Sequence, residues 1–135
     1  MLLFENSVLK LDYSPASDVL EVVYPDLHDY LLPEIKHSID ILLDTVRNYD
    51  IKRVLLDSSK TIIAVGAEES QEITFYMASG FMKTRVQKIA RLQSRSEAVE
   101  ITAQHNIQHL QKTNSLPFLL ENFTCRDAAM EWLKG

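Results

Sequence analysis

Along the chain, hydrophobic residues recur either at every second position, which predicts a strand, or at every third to fourth position, which predicts a helix. Near the N-terminus, two alternating segments flank the turn-forming residues 14–18, so residues 8–13 and 19–24 are predicted to form an antiparallel hairpin. After the hairpin, helices and strands are predicted to alternate along the chain. The helices are expected at 33–48, at 68–82, from the S-x-x-E box at Ser94 to about 111, and after a cap at Thr124; the strands are expected at 52–57, 86–92 and 118–123.

This order of elements predicts a single α/β domain over residues 1–135. Its sheet is expected to have five strands, beginning with the antiparallel hairpin and continuing with largely parallel pairing, and four helices are expected to pack on it. Length and composition agree with one domain, since 135 residues with 46% hydrophobic side chains suffice for one buried core.

The apolar run 53–56 stops abruptly at Asp57-Ser58-Ser59. Ligands of open α/β sheets bind beyond the carboxyl ends of such strands, so this triplet is a candidate ligand or switch site. The alternative is that the three side chains hydrogen-bond to loop amides and end the strand. This second interpretation is favoured over a hydrolase or transferase at Asp57 and Ser58, because the chain has no G-x-S-x-G motif and no evident base.

Four apolar residues lie in the connection after the predicted strand 52–57, and exposing all of them to water would be unfavourable. They are Ile62, Ile63, Ala64 and Val65. Either they pack over the edge of the sheet, or they close a pocket together with Phe81 and the sheet. Ile62, Ile63 and Val65 are therefore candidate residues for binding a small apolar ligand.

The predicted helix 68–82 is apolar on two sides. One side is a core stripe that contains Gly80, which predicts either close packing of a neighbouring element or the end of the helix. On the opposite side, Phe75, Ala78 and Met82 follow one another at helical spacing. An apolar helix face exposed on a small domain indicates a binding surface, so these three residues are the candidate interface of a homodimer.

For the other residues with reactive side chains, a structural role is favoured over a chemical one. His105 and His109 have a spacing that can bind a metal, but they lie opposite the apolar stripe of their helix and are expected to be solvated. The acidic residues at 68–72 suit the positive end of a helix dipole better than acid–base catalysis. Cys125 is expected to be a small buried residue rather than a reactive thiol. No catalytic residue, metal site or cofactor is expected.

The net charge of the chain bears on its binding partners, and targeting signals bear on its location in the cell. A net charge of -5 and a pI near 5.3 argue against broad nucleic-acid binding, which needs a basic face. Lys88 and Arg91 are predicted to face opposite sides of their strand, so the basic residues around them form no single patch. One cysteine fits a reducing compartment. With neither a signal-peptide pattern nor about 20 consecutive apolar residues, a cytoplasmic protein without a membrane span is expected.

Three segments together carry a resemblance to a known family. They are the strand sequence KRVLLDSS at 52–59, the strand sequence VQKIARL at 86–92 and the closing TCRDAAMEWLKG at 124–135. With the N-terminal hairpin, they resemble the SpoIIAA-like (STAS/SEC14-like) small bacterial proteins. The resemblance spans nearly the whole chain and implies an α/β fold with a mixed sheet.

The resemblance also implies a function without catalysis. In this family, anti-sigma antagonists act through regulated protein contacts, while the SEC14-like branch binds apolar ligands. The antagonists carry a phosphorylatable serine in a D-S-x-G motif; Asp57 and Ser58 are similar, but Lys60 replaces the glycine. The first hypothesis is therefore a non-enzymatic regulatory or protein-interaction domain, acting as a homodimer with an unknown protein partner. The alternative is a protein that binds a small apolar ligand such as a lipid or metabolite.

Overall fold

The computed structural model describes residues 1–6, 9–23, 32–61, 66–113 and 116–135. Within these ranges the chain forms a six-stranded sheet and four helices. The strands are β1 (Leu2–Glu5), β2 (Lys10–Ser14), β3 (Val19–Val23), β4 (Arg53–Asp57), β5 (Lys88–Leu92) and β6 (Leu119–Phe123). The helices are α1 (Leu32–Asn48), α2 (Ala67–Met82), α3 (Glu97–Thr113) and α4 (Arg126–Lys134). Among the described helices, none combines the length and the apolar run required to cross a bilayer.

The strands lie in the sheet in the order in which they occur along the chain, β1-β2-β3-β4-β5-β6. The first three pair antiparallel, and β3 to β6 pair parallel. The predicted α/β class, the mixed sheet and the four helices are confirmed.

The predicted number of five strands is wrong, because β1 adds a sixth strand beside β2. Its sequence, LLFE, does not alternate and is too short for a periodic signal. Pairing with β2 orders it, and the backbone N–H of Tyr13 donates to the carbonyl of Met1 at 2.8 Å. The pairing of β1 with β2 is also irregular between Leu2 and Phe4, which interrupts the alternation expected of a strand.

Helices cover both faces of the sheet, but unequally. Parallel crossovers are right-handed almost without exception, so strands added in one direction place their connecting helices on one face. Accordingly, α1 packs on α2 and α2 packs on α3, while α4 packs on β4, β5 and β6. The pleat of β4 separates the two cores: Val54 and Leu56 belong to the larger core with α1 and α2, and Leu55 packs on the α4 side.

The helix starts differ from the predicted caps. Helix α3 begins at Glu97, and the hydroxyl of Ser96, not Ser94, accepts the backbone N–H of Val99 at 3.4 Å. Helix α4 begins at Arg126 with Cys125 as its N-cap, so the predicted cap at Thr124 is wrong. In both cases the helix starts later than the polar pattern indicated.

Helices α1 and α2 approach each other closely at Gly80. A Cβ atom at this position would lie 2.1 Å from Cδ1 of Leu43, far inside van der Waals contact. Helix α2 continues past Gly80 to Met82, so this glycine marks close packing and not the helix end. The absent side chain at Gly80 makes room for Leu43 at the crossing of the two helices.

We expect Gly80→Ala to lower the free energy of unfolding by about 1–3 kcal/mol, because the new methyl group overlaps Leu43. This loss should appear although alanine favours a helix over glycine by about 1 kcal/mol. Urea unfolding of the purified variant measures it. Ser79→Ala, on the exposed neighbouring residue, is the control and should change stability by less than about 0.5 kcal/mol.

The clash itself is tested by adding Leu43→Ala. In that background, Gly80→Ala should become neutral or stabilising, because the overlapping leucine is gone. An equal loss in both backgrounds would show that the contact with Leu43 is not the cause.

Candidate functional site

An apolar cavity of about 90 Å³ lies between α2, α3 and the sheet. Helix α2 supplies Met77, Ala78 and Phe81 to its wall. From α3 come Val99, Ala103, Ile107 and Leu110, and the sheet side includes Leu56, Ile89 and Leu120. Leu56 lies near the carboxyl end of β4, and Ser58 follows directly after that strand, so the cavity reaches the part of a parallel sheet where ligands usually bind.

Several hydroxyl groups also line the cavity, and most of them are already hydrogen-bonded. Thr74 donates to the carbonyl of Ser70 at 3.0 Å, and Thr102 donates to the carbonyl of Ala98 at 3.2 Å. Ser70 in turn accepts the side-chain amide of Asn106 at 3.0 Å. These bonds lie within or between α2 and α3. They use the protons of Thr74 and Thr102, whereas the hydroxyl of Ser70 only accepts and keeps its own proton.

Thr61 is the exception among the cavity-lining hydroxyls. Its side chain is only 4% exposed, and its Oγ1 has no hydrogen-bond partner among the described residues. A buried hydroxyl without a partner is destabilising by about 1–3 kcal/mol, so native proteins rarely retain one. This oxygen has almost no accessible surface, so Thr61 lines the cavity without presenting its hydroxyl to the open space.

A buried ion pair closes the sheet side of the cavity. Arg91, 6% exposed, points from β5 toward α3 and binds both carboxylate oxygens of Glu100, with Nη1–Oε2 at 2.8 Å and Nη2–Oε1 at 3.0 Å. Its Nη1 also donates to Oδ1 of Asn122 on β6 at 3.2 Å. The guanidinium thus ties β5, β6 and α3 together.

Glu100 collects two further hydrogen bonds. It accepts the backbone N–H of Ser94 at 2.8 Å and the side-chain amide of Gln104 at 2.7 Å. Burial by itself would raise the pKa of Glu100, but the hydrogen bonds from Arg91, Gln104 and Ser94, with the charge of Arg91, outweigh it and lower that pKa. The carboxylate therefore stays ionised and neutralises Arg91 at the cavity wall.

The Asp57-Ser58-Ser59 triplet ends β4 as in the strand-terminating interpretation. Oδ1 of Asp57 accepts the backbone N–H of Ser59 at 3.0 Å and its hydroxyl at 2.5 Å. Ser58 is 1% exposed, and its hydroxyl donates to the carbonyl of Leu92. Of the three residues, only Ser58 lines the cavity. The predicted pocket residues Ile62, Ile63 and Val65 lie outside the described residues.

The candidate interface on α2 does not form one exposed surface. Ala78 is buried and lines the cavity, because α3 packs against this side of the helix. Phe75 is half-buried, with its ring edge-on to His109 at 5.6 Å between centroids. Met82 is 36% exposed. The apolar side opposite the α1 contact is thus largely covered by α3 of the same chain.

The remaining polar candidate residues do not come together into one site in the described part of the chain. His105 and His109 are exposed, and among the described residues no group of three His, Cys, Asp or Glu could hold a metal ion. Lys88 donates to the carbonyl of Trp132 at 2.9 Å on the α4 face, opposite Arg91, as predicted. Cys125 is exposed, so the expectation that it is buried is wrong.

Comparison of this chain with models of protein families, with curated proteins and with solved structures finds no match. The resemblance to SpoIIAA-like proteins therefore stays a prediction.

Sequence reasoning missed Thr61 and the Arg91–Glu100 pair. A signal for the pair exists: Arg91 is a charged residue between the apolar residues Ala90 and Leu92 of a buried strand, and a buried charge needs a partner. The first turn of the following helix offers acidic candidates, among them Glu100. For Thr61 the sequence has no comparable signal, since a single threonine in a connection is ordinary.

We expect Glu100→Gln to lower the free energy of unfolding by about 2–4 kcal/mol at about pH 7, because it leaves the buried charge of Arg91 without its counter-ion. The loss should depend on pH. The pKa of Glu100 is lower in the folded than in the unfolded state, so its stabilisation is present above the unfolded-state value of about 4.3. It is lost as the pH falls through the lowered folded-state pKa. Urea unfolding across this range should show the two proteins converging in acid.

Glu97→Gln is the matched control, since Glu97 is an exposed acid in the same helix turn. Its loss should stay below about 1 kcal/mol, the scale of a helix-dipole contribution. A stability gap for Glu100→Gln that does not shrink between about pH 7 and about pH 3 would contradict the role assigned to its charge.

Proposed function

We propose that this protein binds a small, predominantly apolar molecule in the cavity between α2, α3 and the sheet. The observation that carries the proposal is the cavity itself, about 90 Å³ in volume and walled mainly by aliphatic side chains. Protein interiors are otherwise close-packed, with few voids larger than a water molecule. The void lies beside the end of a parallel strand, where ligands of open α/β sheets bind.

The volume limits the size of the ligand. One water needs about 10–15 Å³ measured in this way, and an engineered apolar cavity of about 150 Å³ holds benzene. A cavity of about 90 Å³ therefore accommodates a compact molecule smaller than benzene, on the order of five non-hydrogen atoms. At about 24 cal/mol per Å³, leaving it empty forfeits about 2 kcal/mol, which a ligand that fits would recover.

The wall supports binding in preference to catalysis. Among the described residues that line the cavity, Arg91 alone is ionisable, and Glu100 already neutralises it. Ser58 donates its hydroxyl to a backbone carbonyl and has no base beside it in the described part of the wall. A reaction would need a proton acceptor or a nucleophile that this set of side chains does not provide.

The regulatory protein-interaction role implied by the family resemblance stays a prediction, as do the homodimer, the bacterial family and a cytoplasmic location. Burial of Ser58 and its bond to Leu92 speak against a phosphorylation switch at that serine, because a kinase would need its hydroxyl exposed. The apolar-ligand role has the better support, since Phe81 and the sheet do line a cavity.

Native mass spectrometry of freshly purified protein should detect added mass from a bound small molecule. Xenon, which enters apolar cavities, should shift backbone amide resonances around Met77 and Ile107 in a titration followed by NMR. Ala103→Leu should abolish both effects, because the larger side chain fills the cavity from α3.

Ala98→Leu is the matched control, since Ala98 is exposed on α3 and does not line the cavity. It should leave the bound mass and the xenon shifts unchanged. If the wild-type protein carries no added mass and xenon moves none of its resonances, the proposed function is wrong.

A further inference from the structure

We infer that a carboxylate or phosphate group of a small anionic molecule binds to Arg53, in a cleft between α4 and the hairpin of β2 and β3. The cleft and the apolar cavity share no lining residue, so this second site does not depend on the proposed function. Its basis is one edge of the Arg53 guanidinium, which lies open at the cleft without a partner among the described residues.

The cleft exists because helices cover only part of this face of the sheet. Helix α4 packs mainly on β4, β5 and β6, and beside it the same face of β2 and β3 is left open. The turn 14–17 forms one wall, and one face of α4 forms the other, with Arg126, Met130 and Lys134. The volume of about 750 Å³ lies within the range of small-molecule sites.

The guanidinium of Arg53 lies at the wall of this cleft. Arg53 is the first residue of β4 and is partly buried. Its Nη1 donates to the carbonyl of Ser17 at 2.7 Å, and both residues line the cleft. Its Nε and Nη2 donate to no atom in the described part of the chain, and neither nitrogen is buried. One hydrogen bond thus holds the group in place while its Nε–Nη2 edge stays accessible.

Arg126, on the α4 wall of the same cleft, shows what such an edge binds. Its Nε and Nη2 donate to the two carboxylate oxygens of Glu21 at 3.2 Å and 2.7 Å. In this bidentate arrangement a guanidinium binds a carboxylate or a phosphate. Arg53 presents the same edge with no described carboxylate on it, so an anionic group of a ligand can occupy the place that Glu21 occupies at Arg126.

The charges of the cleft also favour an anion. Both of its carboxylates already have a partner, since Arg126 binds Glu21 and the amino group of Met1 binds Asp12 at 2.9 Å. Two cationic side chains of the cleft form no ion pair with the described residues: Arg53 and Lys134. An anion therefore gains attraction without displacing a carboxylate of the protein, and partial burial strengthens its interaction with the guanidinium.

The competing interpretation is that Arg53 only ties the start of β4 to the hairpin turn. Its bond to the carbonyl of Ser17 would then be its whole role. In that case, anions would interact with the cleft only through general attraction to positive charge, which is weak at an exposed surface and is screened by salt.

Two probes separate these cases: inorganic phosphate and acetate. Each is titrated into the full chain at about pH 7, with chloride keeping the ionic strength constant, and NMR follows the Nε–H of Arg53 and the backbone amides of Ser17 and Val19. Arg53→Gln removes the charge, and Arg53→Lys keeps the charge without the planar edge. Arg95→Gln is the matched control, because Arg95 is exposed outside the cleft and its loss changes the net charge equally.

At least one of the two anions should shift these resonances to saturation in the wild type, which chloride alone should not do. Arg53→Gln should weaken binding of that anion at least about tenfold, the scale of a hydrogen bond to a charged group. Arg53→Lys should weaken it by about threefold or more, because lysine cannot bind with two parallel N–H groups. Arg95→Gln should change the dissociation constant by less than about twofold.

Shifts no larger than those that chloride produces at equal ionic strength would overturn the inference, as would equal weakening by Arg53→Gln and Arg95→Gln. Unchanged binding in Arg53→Lys would overturn the role of the Nε–Nη2 edge. The Nε–H signal of Arg53 is read in the wild type, so the test does not depend on whether a variant folds. Xenon binding is read at Met77 and Ile107, so the proposed function and this inference can fail independently.

Discussion

Connections between parallel strands are right-handed, and this handedness determines on which face of the sheet the helices lie. Because the strands enter the sheet in chain order, every crossover moves in the same direction, and α1, α2 and α3 are placed on one face. That face must then hold three helices side by side. Close approach at Gly80 lets α1 and α2 meet tightly, whereas the space between α2, α3 and the sheet is not filled and becomes the cavity. Both the packing and the candidate site follow from this one geometric rule.

Local periodicity was sufficient to predict the architecture of the chain beyond its first strand. The helices, the parallel strands and the side-chain alternation of β5 all depend on residues close in sequence, so pattern analysis reaches them. The first strand was missed because it is stabilised by pairing with β2 and not by its own pattern. Helices α3 and α4 start one or two residues after the predicted positions. Before α3, Ser94 and Ser96 each accept a backbone N–H, so both serines fit the pattern of a cap.

The site was harder to predict, and the reasons are physical. On the second apolar side of α2, Ala78 is buried beside α3, while Phe75 and Met82 stay partly exposed. Periodicity does not distinguish a partner subunit from a neighbouring helix, so a homodimer interface on this side stays a prediction. Phe81 lines the cavity, but the apolar residues 62–65 that were predicted to close a pocket with it lie outside the described residues, so that pocket stays a prediction. Thr61 and the Arg91–Glu100 pair depend on contacts between separate elements, which one sequence does not display.

The order of the strands has a further consequence for how the chain reaches its native state. Strands pair only with their neighbours in sequence, so no pairing skips a strand, but the parallel pairs join residues 31 to 35 positions apart across a whole helix. The hairpin of β2 and β3 joins residues only 5 to 13 positions apart and loses the least loop-closure entropy, whereas pairings of long sequence separation form more slowly. On the ribosome, the N-terminal hairpin can form first and serve as a template on which β4, β5 and β6 are added one by one as they emerge. The topology therefore matches the direction of synthesis.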